Sequence, residues 1–298
     1  MTSVFTSSTC LEHDPGPGHP ETPRRLQAVL EWLQREASVQ LVQTPPLASL
    51  EPLLRVHPQS HLDFVRLTSE RGGGAAGPDT LLNAASWEAA LGATGAILAG
   101  VHHAHHGRGH AFAAVRPPGH HALAQRAMGF CLVNNVVVAA HEARQLGRER
   151  VLIVDWDVHH GNGTQALVEP DPSIRYVSLH QWPWYPGTGA ADERGTGNIF
   201  NVPRPPDLPA GQYVAHLWDA FAMATRGWTP DILLLSAGFD AMAGDPLGGF
   251  TLEPEHFATV TTRFREHLPG TPIVSMLEGG YAPRRVADGV AAHVKALA

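Results

Sequence analysis

The stretch from Val151 to Gly163 reads VLIVDWDVHHGNG and is the most informative segment of this chain for its fold class. Its first four residues are apolar and mostly β-branched, which is typical of a strand buried on both faces of a parallel sheet. Carboxylates and imidazoles follow at once, and two glycines then predict a turn. Ligands of open α/β sheets bind at the carboxyl ends of the strands. The stretch therefore predicts a buried parallel strand with a functional site at its end.

Asp155, Asp157 and His159 occupy alternate positions along this stretch. If the strand stays extended, their side chains share one face of the sheet and the intervening side chains point to the other. Buried carboxylates without partners are costly, and a bound divalent cation removes that cost. Aspartate oxygens and histidine nitrogens are ordinary zinc ligands. In the alternative interpretation, Asp155 only caps a turn, and His159 and His160 pack against loops.

The composition limits the classes of function. The chain has 298 residues, of which 43% are hydrophobic and 16% charged, as is typical of a globular protein with a large core. A chain of this length can form one large α/β domain or two smaller ones. The net charge of −7 argues against a nucleic-acid partner, because nucleic-acid binders normally present a basic face.

The chain shows no pattern of export or membrane insertion. No segment approaches the ~20 apolar residues of a membrane span, and the first ten residues lack the basic and hydrophobic regions of a secretory signal. The two cysteines, Cys10 and Cys131, are too few for a disulfide framework and form no C-x-x-C pair. We therefore expect a cytoplasmic protein without a membrane partner, in which any metal is held by histidine and carboxylate.

Strands and helices alternate through the second two-thirds of the chain. Apolar runs predict strands at 111–115, 151–154, 174–179, 232–235 and 273–277. Helices are predicted at 134–146, 211–226 and 254–267, and a last one runs from 283 to the end. This alternation predicts an open α/β fold in which helices cover both faces of a mostly parallel sheet.

The first third of the chain is less regular. One helix is predicted to begin after the N-cap Thr22 and to end near Arg35, and an alanine-rich helix is predicted over 86–100. The glycine-rich segment 70–80 is predicted to be a flexible surface loop. The histidine-rich segment 102–110 is predicted to be a solvated loop that follows the second helix. In the alternative interpretation, some of these histidines are the C-terminal residues of that helix, where a partly charged imidazole is favourable.

Several predicted strand ends carry polar side chains. They are His120 and His121, the cluster that begins at Asp155, then Asp240, and finally Tyr281. Because the carboxyl ends of parallel strands share one edge of a sheet, these side chains should meet there. A metal ion, an imidazole base and a hydrogen-bond donor to an oxyanion are the components of metal-assisted hydrolysis. The aromatic and proline-rich loop 181–189 would otherwise expose a large apolar area, so it is predicted to form a pocket wall.

The motifs of the chain, taken in order, resemble those of the zinc-dependent histone deacetylase superfamily, which includes bacterial acetylpolyamine amidohydrolases and histone-deacetylase-like amidohydrolases. The matching motifs are RPPGHH at 116–121, GFC at 129–131, DWDVHHGNGT at 155–164, PGTG at 186–189, GFD at 238–240 and EGGY at 278–281. Two earlier motifs, HDPG at 13–16 and HPETP at 19–23, are most similar to the class II branch. The resemblance implies a single catalytic domain over residues 1–298 with the open, three-layer fold of arginases and deacetylases.

The resemblance also implies the metal sites. One zinc ion per chain would be held by Asp157, His159 and Asp240, and the choice between zinc and iron stays open. A potassium ion near the zinc would be bound, in part through backbone carbonyls, by Asp155, Asp157, His159, Ser178 and Leu179.

The same resemblance implies roles for the tandem histidines. His120 and His121 would lie beside the attacking water, with His121 as the general base. Asp155 would hold His120 from behind the site. Asn162 stands where some relatives carry aspartate, and it would pair with His160 or His121 as a neutral partner.

The resemblance further implies how the substrate is held. Tyr281 would donate a hydrogen bond to the substrate carbonyl and to the oxyanion that forms from it. A narrow tunnel for an alkyl-amine chain would be lined by Gly129, Phe130, Tyr185, Leu247 and Gly280.

The implied substrate is an acyl-amine, either a small molecule or part of a peptide. Removal of an acetyl or short acyl group from lysine is one alternative, and hydrolysis of acetylpolyamines is another. Polyamine-selective relatives can carry an acidic residue at the position of Leu247, so this leucine favours acyl-lysine or another neutral amide. An arginase-like ureohydrolase with two metal ions and an inactive, ligand-binding homologue are the remaining alternatives. The surface loops look trimmed relative to dimeric members of the family, and a monomer is expected.

Overall fold

An eight-stranded parallel sheet forms the centre of the structure, a computed structural model that describes residues 2–43 and 45–298. The strands are β1 (Thr2–Thr6), β2 (Val39–Gln43), β3 (Gly73–Gly77), β4 (Thr80–Asn83), β5 (Ala111–Ala113), β6 (Val151–Asp155), β7 (Ile174–Gln181), β8 (Ile199–Arg204), β9 (Ile232–Ala237) and β10 (Ile273–Leu277). Their order in the large sheet is β2-β1-β5-β10-β9-β6-β7-β8, and β3 and β4 form a separate pair.

Helices cover both faces of the large sheet. They are α1 (Thr9–Glu12), α2 (Arg24–Leu33), α3 (Leu50–Leu54), α4 (Gln59–Glu70), α5 (Ser86–His105), α6 (Asn135–Gln145), α7 (Asn162–Val168), α8 (Ala210–Thr225), α9 (Pro254–His267) and α10 (Pro283–Leu297). Helix α10 packs against α2 and α9, and α5 packs against α6. Every residue of β6, β9 and β10 is buried. The predicted fold class, an open parallel sheet between two layers of helices, is confirmed.

The strand order brings the polar strand ends to one edge. Strand β6 lies between β9 and β7, and Asp155 at its end is in register with Ser236 and Ser178. Strand β10 lies between β5 and β9. Since all these pairings are parallel, the segments that follow β5, β6, β9 and β10 leave the sheet on the same side.

Three strands of the sheet carry no clear signal in the sequence. Strand β1 contains buried polar residues, among them Thr2 and Thr6, in place of a continuous apolar run. Strand β2 lies at the edge of the sheet and has no fully buried residue. Strand β8 lies at the other edge and contains Pro203. These strands form by pairing with their neighbours, which a local pattern does not reveal.

The prediction of a flexible loop at 70–80 is wrong. This segment contains β3, which pairs with β4 in an antiparallel hairpin from Gly73↔Asn83 onward. Gly73 and Gly74 have positive φ angles, so glycine is required for this path rather than for flexibility. The hydroxyl of Ser69 at the end of α4 donates to the carbonyl of Asn83. The hairpin is therefore fixed to the helix before it, and its turn carries Asp79 towards the sheet edge that holds the site.

The prediction of a solvated loop over 102–110 is wrong in its first part. Helix α5 continues to His105, and the imidazole of His102 lies 2.9 Å from Glu142 of α6. Imidazoles in the last turn of a helix interact favourably with its dipole when they are protonated, as the alternative interpretation assumed. Within the described residues, no helix is both long enough and apolar enough to cross a lipid bilayer.

Candidate metal centre and active site

Asp157, His159 and Asp240 converge at the edge formed by β6 and β9. One potential ligand atom from each side chain lies within 4.8 Å of those from the other two. His159 Nδ1 is 3.0 Å from Asp157 Oδ1 and 3.2 Å from Asp240 Oδ2. All three residues are buried. Strand β6 ends at Asp155, so Asp157 and His159 lie on the turn that follows it, and Asp240 lies on the turn after the neighbouring β9.

The donor set of these residues fits a divalent cation. Asp240 Oδ2 is buried and has no hydrogen-bond partner among the described residues, and such an oxygen is costly without a cation. Burial and the adjacent Asp157 carboxylate raise the pKa of Asp240 to about 7. Burial lowers the pKa of His159, but the adjacent carboxylates of Asp157 and Asp240 outweigh burial and raise that pKa to about 10. Two carboxylates and one imidazole match the ligand chemistry of zinc and leave a position for water.

Asp155 takes no part in this group of three. Its Oδ2 accepts a hydrogen bond from Tyr176 and lies 3.0 Å from His120 Nδ1, while its Oδ1 accepts from the backbone N–H of Asp157. The expectation that Asp155, Asp157 and His159 share one strand face therefore fails, because the extended conformation ends at Asp155. The carboxylate of Asp155 points to the tandem histidines instead.

The other residues of the expected potassium site lie on β7. Ser178 is the register partner of Asp155, and Leu179 follows it on the same strand. The hydroxyl of Ser178 lies 2.9 Å from Nδ1 of His180. Potassium binding at these residues stays a prediction.

The tandem histidines have different partners. The ring centroids of His120 and His121 are 4.0 Å apart. His120 Nδ1 contacts the carboxylate of Asp155, whereas His121 Nδ1 lies 2.8 Å from the amide oxygen of Asn162. Of the two partners that the sequence left open for Asn162, the structure shows His121. His160 contacts other side chains.

The environments of the two histidines shift their pKa values in opposite directions. Burial lowers the pKa of His120, but the carboxylates of Asp157 and Asp155 outweigh burial and raise that pKa well above its ordinary value. Burial, together with the positive charges of His120 and His159, lowers the pKa of His121 well below its ordinary value. A neutral imidazole can accept a proton, and a charged imidazole beside it supplies positive charge to the same site.

His160 belongs to a different hydrogen-bond network. Its Nδ1 lies 2.8 Å from the hydroxyl of Thr188, and its Nε2 lies 2.8 Å from Oε1 of Gln165. Gln165 in turn donates to Glu193 at 2.6 Å. Burial lowers the pKa of His160 to about 4, so its imidazole is neutral near pH 7. This network joins the turn after β6 to the loop after β7.

A cavity of about 220 Å³ leads to the metal-binding group. It is lined by Asp79, His121, Gly129, Phe130, His159, Trp184, Tyr185, Leu247 and Tyr281. The rings of Phe130 and Tyr281 meet edge to face at 5.8 Å, and Tyr185 meets His121 in the same way at 5.1 Å. Four of the five expected tunnel residues line this cavity. The fifth, Gly280, does not line the cavity, and its carbonyl accepts a hydrogen bond from Arg25.

Tyr281 is held from two sides. The guanidinium carbon of Arg25 lies 4.9 Å from the centre of the Tyr281 ring. Arg25 is itself fixed by a buried ion pair with Glu21 at 2.8 Å. On the other side, the backbone N–H of Tyr281 donates to Asp245 Oδ2 at 2.6 Å. Burial raises the pKa of Tyr281 well above its ordinary value, which keeps the phenol protonated as a hydrogen-bond donor.

No role was expected for two residues of the site, Glu278 and Asp79, although Glu278 belongs to the EGGY motif. Glu278 Oε2 accepts hydrogen bonds from the backbone N–H groups of Gly119 and His120, at 2.7 and 3.2 Å, and so fixes the segment that carries the tandem histidines. Asp79 contributes to the cavity wall only because of the unexpected hairpin. The loop 181–189 was predicted to form a wall, and it does so through Trp184 and Tyr185. Glu278 follows a predicted strand directly, and this position was the available signal.

Comparison with known proteins connects this geometry to one family. A sequence profile of the histone deacetylase domain matches residues 19–297. The chain is 36% identical to the histone deacetylase-like amidohydrolase of Pseudomonas aeruginosa, over 94% of this chain and 82% of that protein. It is 35% identical to a probable deacetylase of Methanothermobacter thermautotrophicus, over 94% and 86% of the two chains. A solved structure, the HDA15 HD domain, matches with a TM-score of 0.94 and 36% identity, covering 100% of this chain and 90% of that one.

Proposed function

The chain belongs to the histone deacetylase family, and we propose that it is a zinc-dependent amidohydrolase that removes acetyl or short acyl groups from acyl-lysine or a similar alkyl amide. One observation carries the proposal. The buried group of Asp157, His159 and Asp240 lies at the end of a narrow aromatic cavity, beside two histidines with opposite pKa shifts. A hydrogen-bond donor, Tyr281, lines the same cavity.

Asp157, His159 and Asp240 would hold the metal. Zinc, when bound there, supplies a Lewis acid that polarises the amide carbonyl and lowers the pKa of the attacking water. The three side chains contribute a net charge of −2 when His159 is neutral, so they favour a divalent cation over a monovalent one. Their burial excludes bulk water and strengthens every electrostatic interaction in the site.

The tandem histidines and Tyr281 would handle the protons. His121 is neutral because of its lowered pKa, so it accepts a proton from the attacking water. His121, now an imidazolium, then donates this proton to the amine nitrogen as the C–N bond breaks. The products are a carboxylic acid and an amine. His120 stays protonated next to Asp155 and keeps positive charge near the reacting centre. Tyr281 donates its phenolic hydrogen to the oxyanion.

The cavity favours a neutral alkyl chain. Phe130, Tyr185 and Leu247 supply apolar walls, which suit the methylene groups of a lysine side chain. The single carboxylate among the lining residues is Asp79, and Leu247 is neutral at the position that can be acidic in polyamine-selective relatives. An acetylpolyamine is therefore the second candidate substrate, and an acyl-lysine is the first.

The remaining alternatives fit less well. A two-metal ureohydrolase would need further bridging carboxylates, but Asp157, His159 and Asp240 are the only group of three metal-binding side chains found in residues 2–43 and 45–298. An inactive homologue that only binds a small molecule would not need both His121 and Tyr281 on the cavity wall next to the metal-binding side chains.

A competition between substrates tests the proposal. The purified protein is loaded with one equivalent of zinc and assayed on acetyl-lysine peptides, acetylputrescine and acetylspermidine. We expect higher kcat/KM for the acetyl-lysine peptides and loss of activity after chelation. Preference for the acetylpolyamines would select the second candidate, and absence of hydrolysis with every acyl-amide would refute the proposed activity.

We also propose that residues 1–298 act as one catalytic domain, that the protein is a cytoplasmic monomer, and that potassium binds beside the zinc site. The register of β6 and β7 supports the last point, because it sets Asp155 beside Ser178 on neighbouring strands.

A further inference from the structure

We propose that Asp245 is a positioning residue that couples Tyr281 to the cavity wall at Leu247. This inference rests on the proposed function, in which Tyr281 donates a hydrogen bond to the oxyanion. Asp245 touches neither the metal-binding group nor the cavity. It acts through the backbone of two residues that do line the cavity.

One carboxylate binds both backbones. Oδ2 of Asp245 accepts the N–H of Tyr281 at 2.6 Å, and Oδ1 accepts the N–H of Leu247 at 2.9 Å. The carbonyl of Leu247 then accepts the indole N–H of Trp184 at 2.8 Å. A continuous series of hydrogen bonds therefore runs from Tyr281 through Asp245 and Leu247 to the aromatic wall.

The segment before Tyr281 cannot fix this residue by itself. Gly279 and Gly280 precede it, and Gly280 has a φ angle of 114°, which is accessible to few other residues. The helix after Tyr281 begins at Pro283 without a side-chain cap. Arg25 binds the backbone carbonyl of Gly280, and Asp245 binds the next N–H group. The position of the Tyr281 backbone is therefore set from outside its own segment.

The chemistry of the contact requires a carboxylate. Two separate N–H donors point at two separate oxygens, and an asparagine would offer one acceptor oxygen and one NH₂ group. The NH₂ group would face a backbone donor, and one buried N–H would lose its partner. Asp245 is 8% exposed, and the nearby Arg25 forms its ion pair with Glu21 instead. The two backbone hydrogen bonds are thus the main compensation for burying this charge.

The substitution D245N tests the role in two backgrounds. In the otherwise native chain, we expect D245N to lower kcat by about tenfold or more, because small displacements of a catalytic group are costly. In the Y281F background, which lacks the phenolic donor, D245N should change kcat by less than about twofold. The matched control is D219N on the exposed face of α8, which should leave kcat unchanged in both backgrounds.

A loss of the same factor in both backgrounds would show a general structural role and would overturn the proposal. Unchanged kcat in D245N alone would do the same. D245E keeps two acceptor oxygens and should recover part of the activity that D245N loses.

Amide hydrogen exchange gives a readout that needs no activity. In the native chain, the N–H groups of Tyr281 and Leu247 should exchange slowly, and both should exchange faster in D245N. Fast exchange of both groups in the native chain would refute the coupling even if D245N does not fold. If the native enzyme hydrolyses no acyl-amide, the proposed function fails, while these exchange rates still decide whether Asp245 holds the two backbones.

Discussion

The imidazole Nδ1 of His121 lies 2.8 Å from the amide oxygen of Asn162, so the neutral histidine of the pair has a neutral partner. Its neighbour His120 contacts the carboxylate of Asp155 instead. The difference between an amide and a carboxylate at these two positions contributes to the opposite pKa shifts of the two imidazoles. Burial and the nearby positive charges lower the pKa of His121 further, so His121 is the imidazole of the pair that can accept a proton at neutral pH.

The substitution N162D should move the pH profile of the enzyme. A carboxylate next to His121 stabilises its protonated form and raises its pKa. His121 must be neutral to act as a base, so the acidic limb of kcat/KM should shift to higher pH. The measurement is kcat/KM from pH 5 to 9 for N162D and the native chain. An acidic limb at the same pH in both proteins would contradict the assignment of His121 as the base.

The substitution Y281F should remove the oxyanion donor and leave the metal group intact. Loss of one such donor typically lowers kcat by about 10²–10³-fold. KM should change much less, because the ring still fills the cavity wall between Phe130 and Arg25. Zinc content by elemental analysis should equal that of the native chain. Native kcat in Y281F would rule out the proposed role of the phenol.

Removal of the metal should lower thermal stability. A ligand that binds only the folded state stabilises it by roughly 2.7 kcal/mol at about 100 times its Kd. Chelation should therefore lower the melting temperature of the native chain, and added zinc should restore it. D240N should show no response to zinc, because it lacks one of the two carboxylates of the group. D219N should respond like the native chain, and an equal response in D240N would exclude Asp240 as a ligand.

The substitution L247E should change substrate preference. Leu247 lines the cavity, and a glutamate there would attract the ammonium groups of a polyamine. The ratio of kcat/KM for acetylspermidine to that for an acetyl-lysine peptide should rise by about tenfold or more. L247Q has a similar shape without the charge and is the control. The same ratio in L247E and L247Q would show that charge at this position does not select the substrate.

His293 should make the protein sensitive to acid. It is fully buried between Thr261 of α9 and Ser275 of β10, and burial, with a smaller effect of His110, lowers its pKa to about 3. The unfolded chain binds a proton at this histidine below about pH 6.5, whereas the folded chain does not. The buried, neutral imidazole of His293 therefore makes its full contribution to the free energy of unfolding above about pH 6.5. This contribution is lost progressively as the pH falls towards 3.

Unfolding by urea measures this effect. The free energy of unfolding of the native chain should exceed that of H293N at pH 7, and the difference should narrow from pH 6.5 to 4. Other buried histidines with lowered pKa values, such as His13 and His57, contribute equally to both proteins and cancel in the difference. A difference that stays constant over this range would contradict the shifted pKa of His293.

The fold class and the edge of the sheet that carries the site could be predicted from local features of the chain. The apolar runs of β6, β9 and β10 are local features, and burial on both faces follows from their composition. Polar residues directly after these strands then mark the carboxyl edge, as Asp240 and Tyr281 do. The family motifs added the expected metal ligands. These features are local, and none of them depends on a distance between residues that are far apart in the chain.

Which side chains meet depends on long-range packing, and no local pattern of the sequence shows it. Asp157 joins Asp240 across 83 positions because β6 pairs with β9 in a fixed register, and the end of the extended conformation at Asp155 turns that carboxylate towards His120. Strands β1, β2 and β8 exist through pairing with neighbours rather than through a local pattern. The contact of Asp245 with Tyr281 likewise depends on how two separate turns pack. Local composition fixes which residues are buried, whereas strand order, register and turn geometry are set by long-range packing.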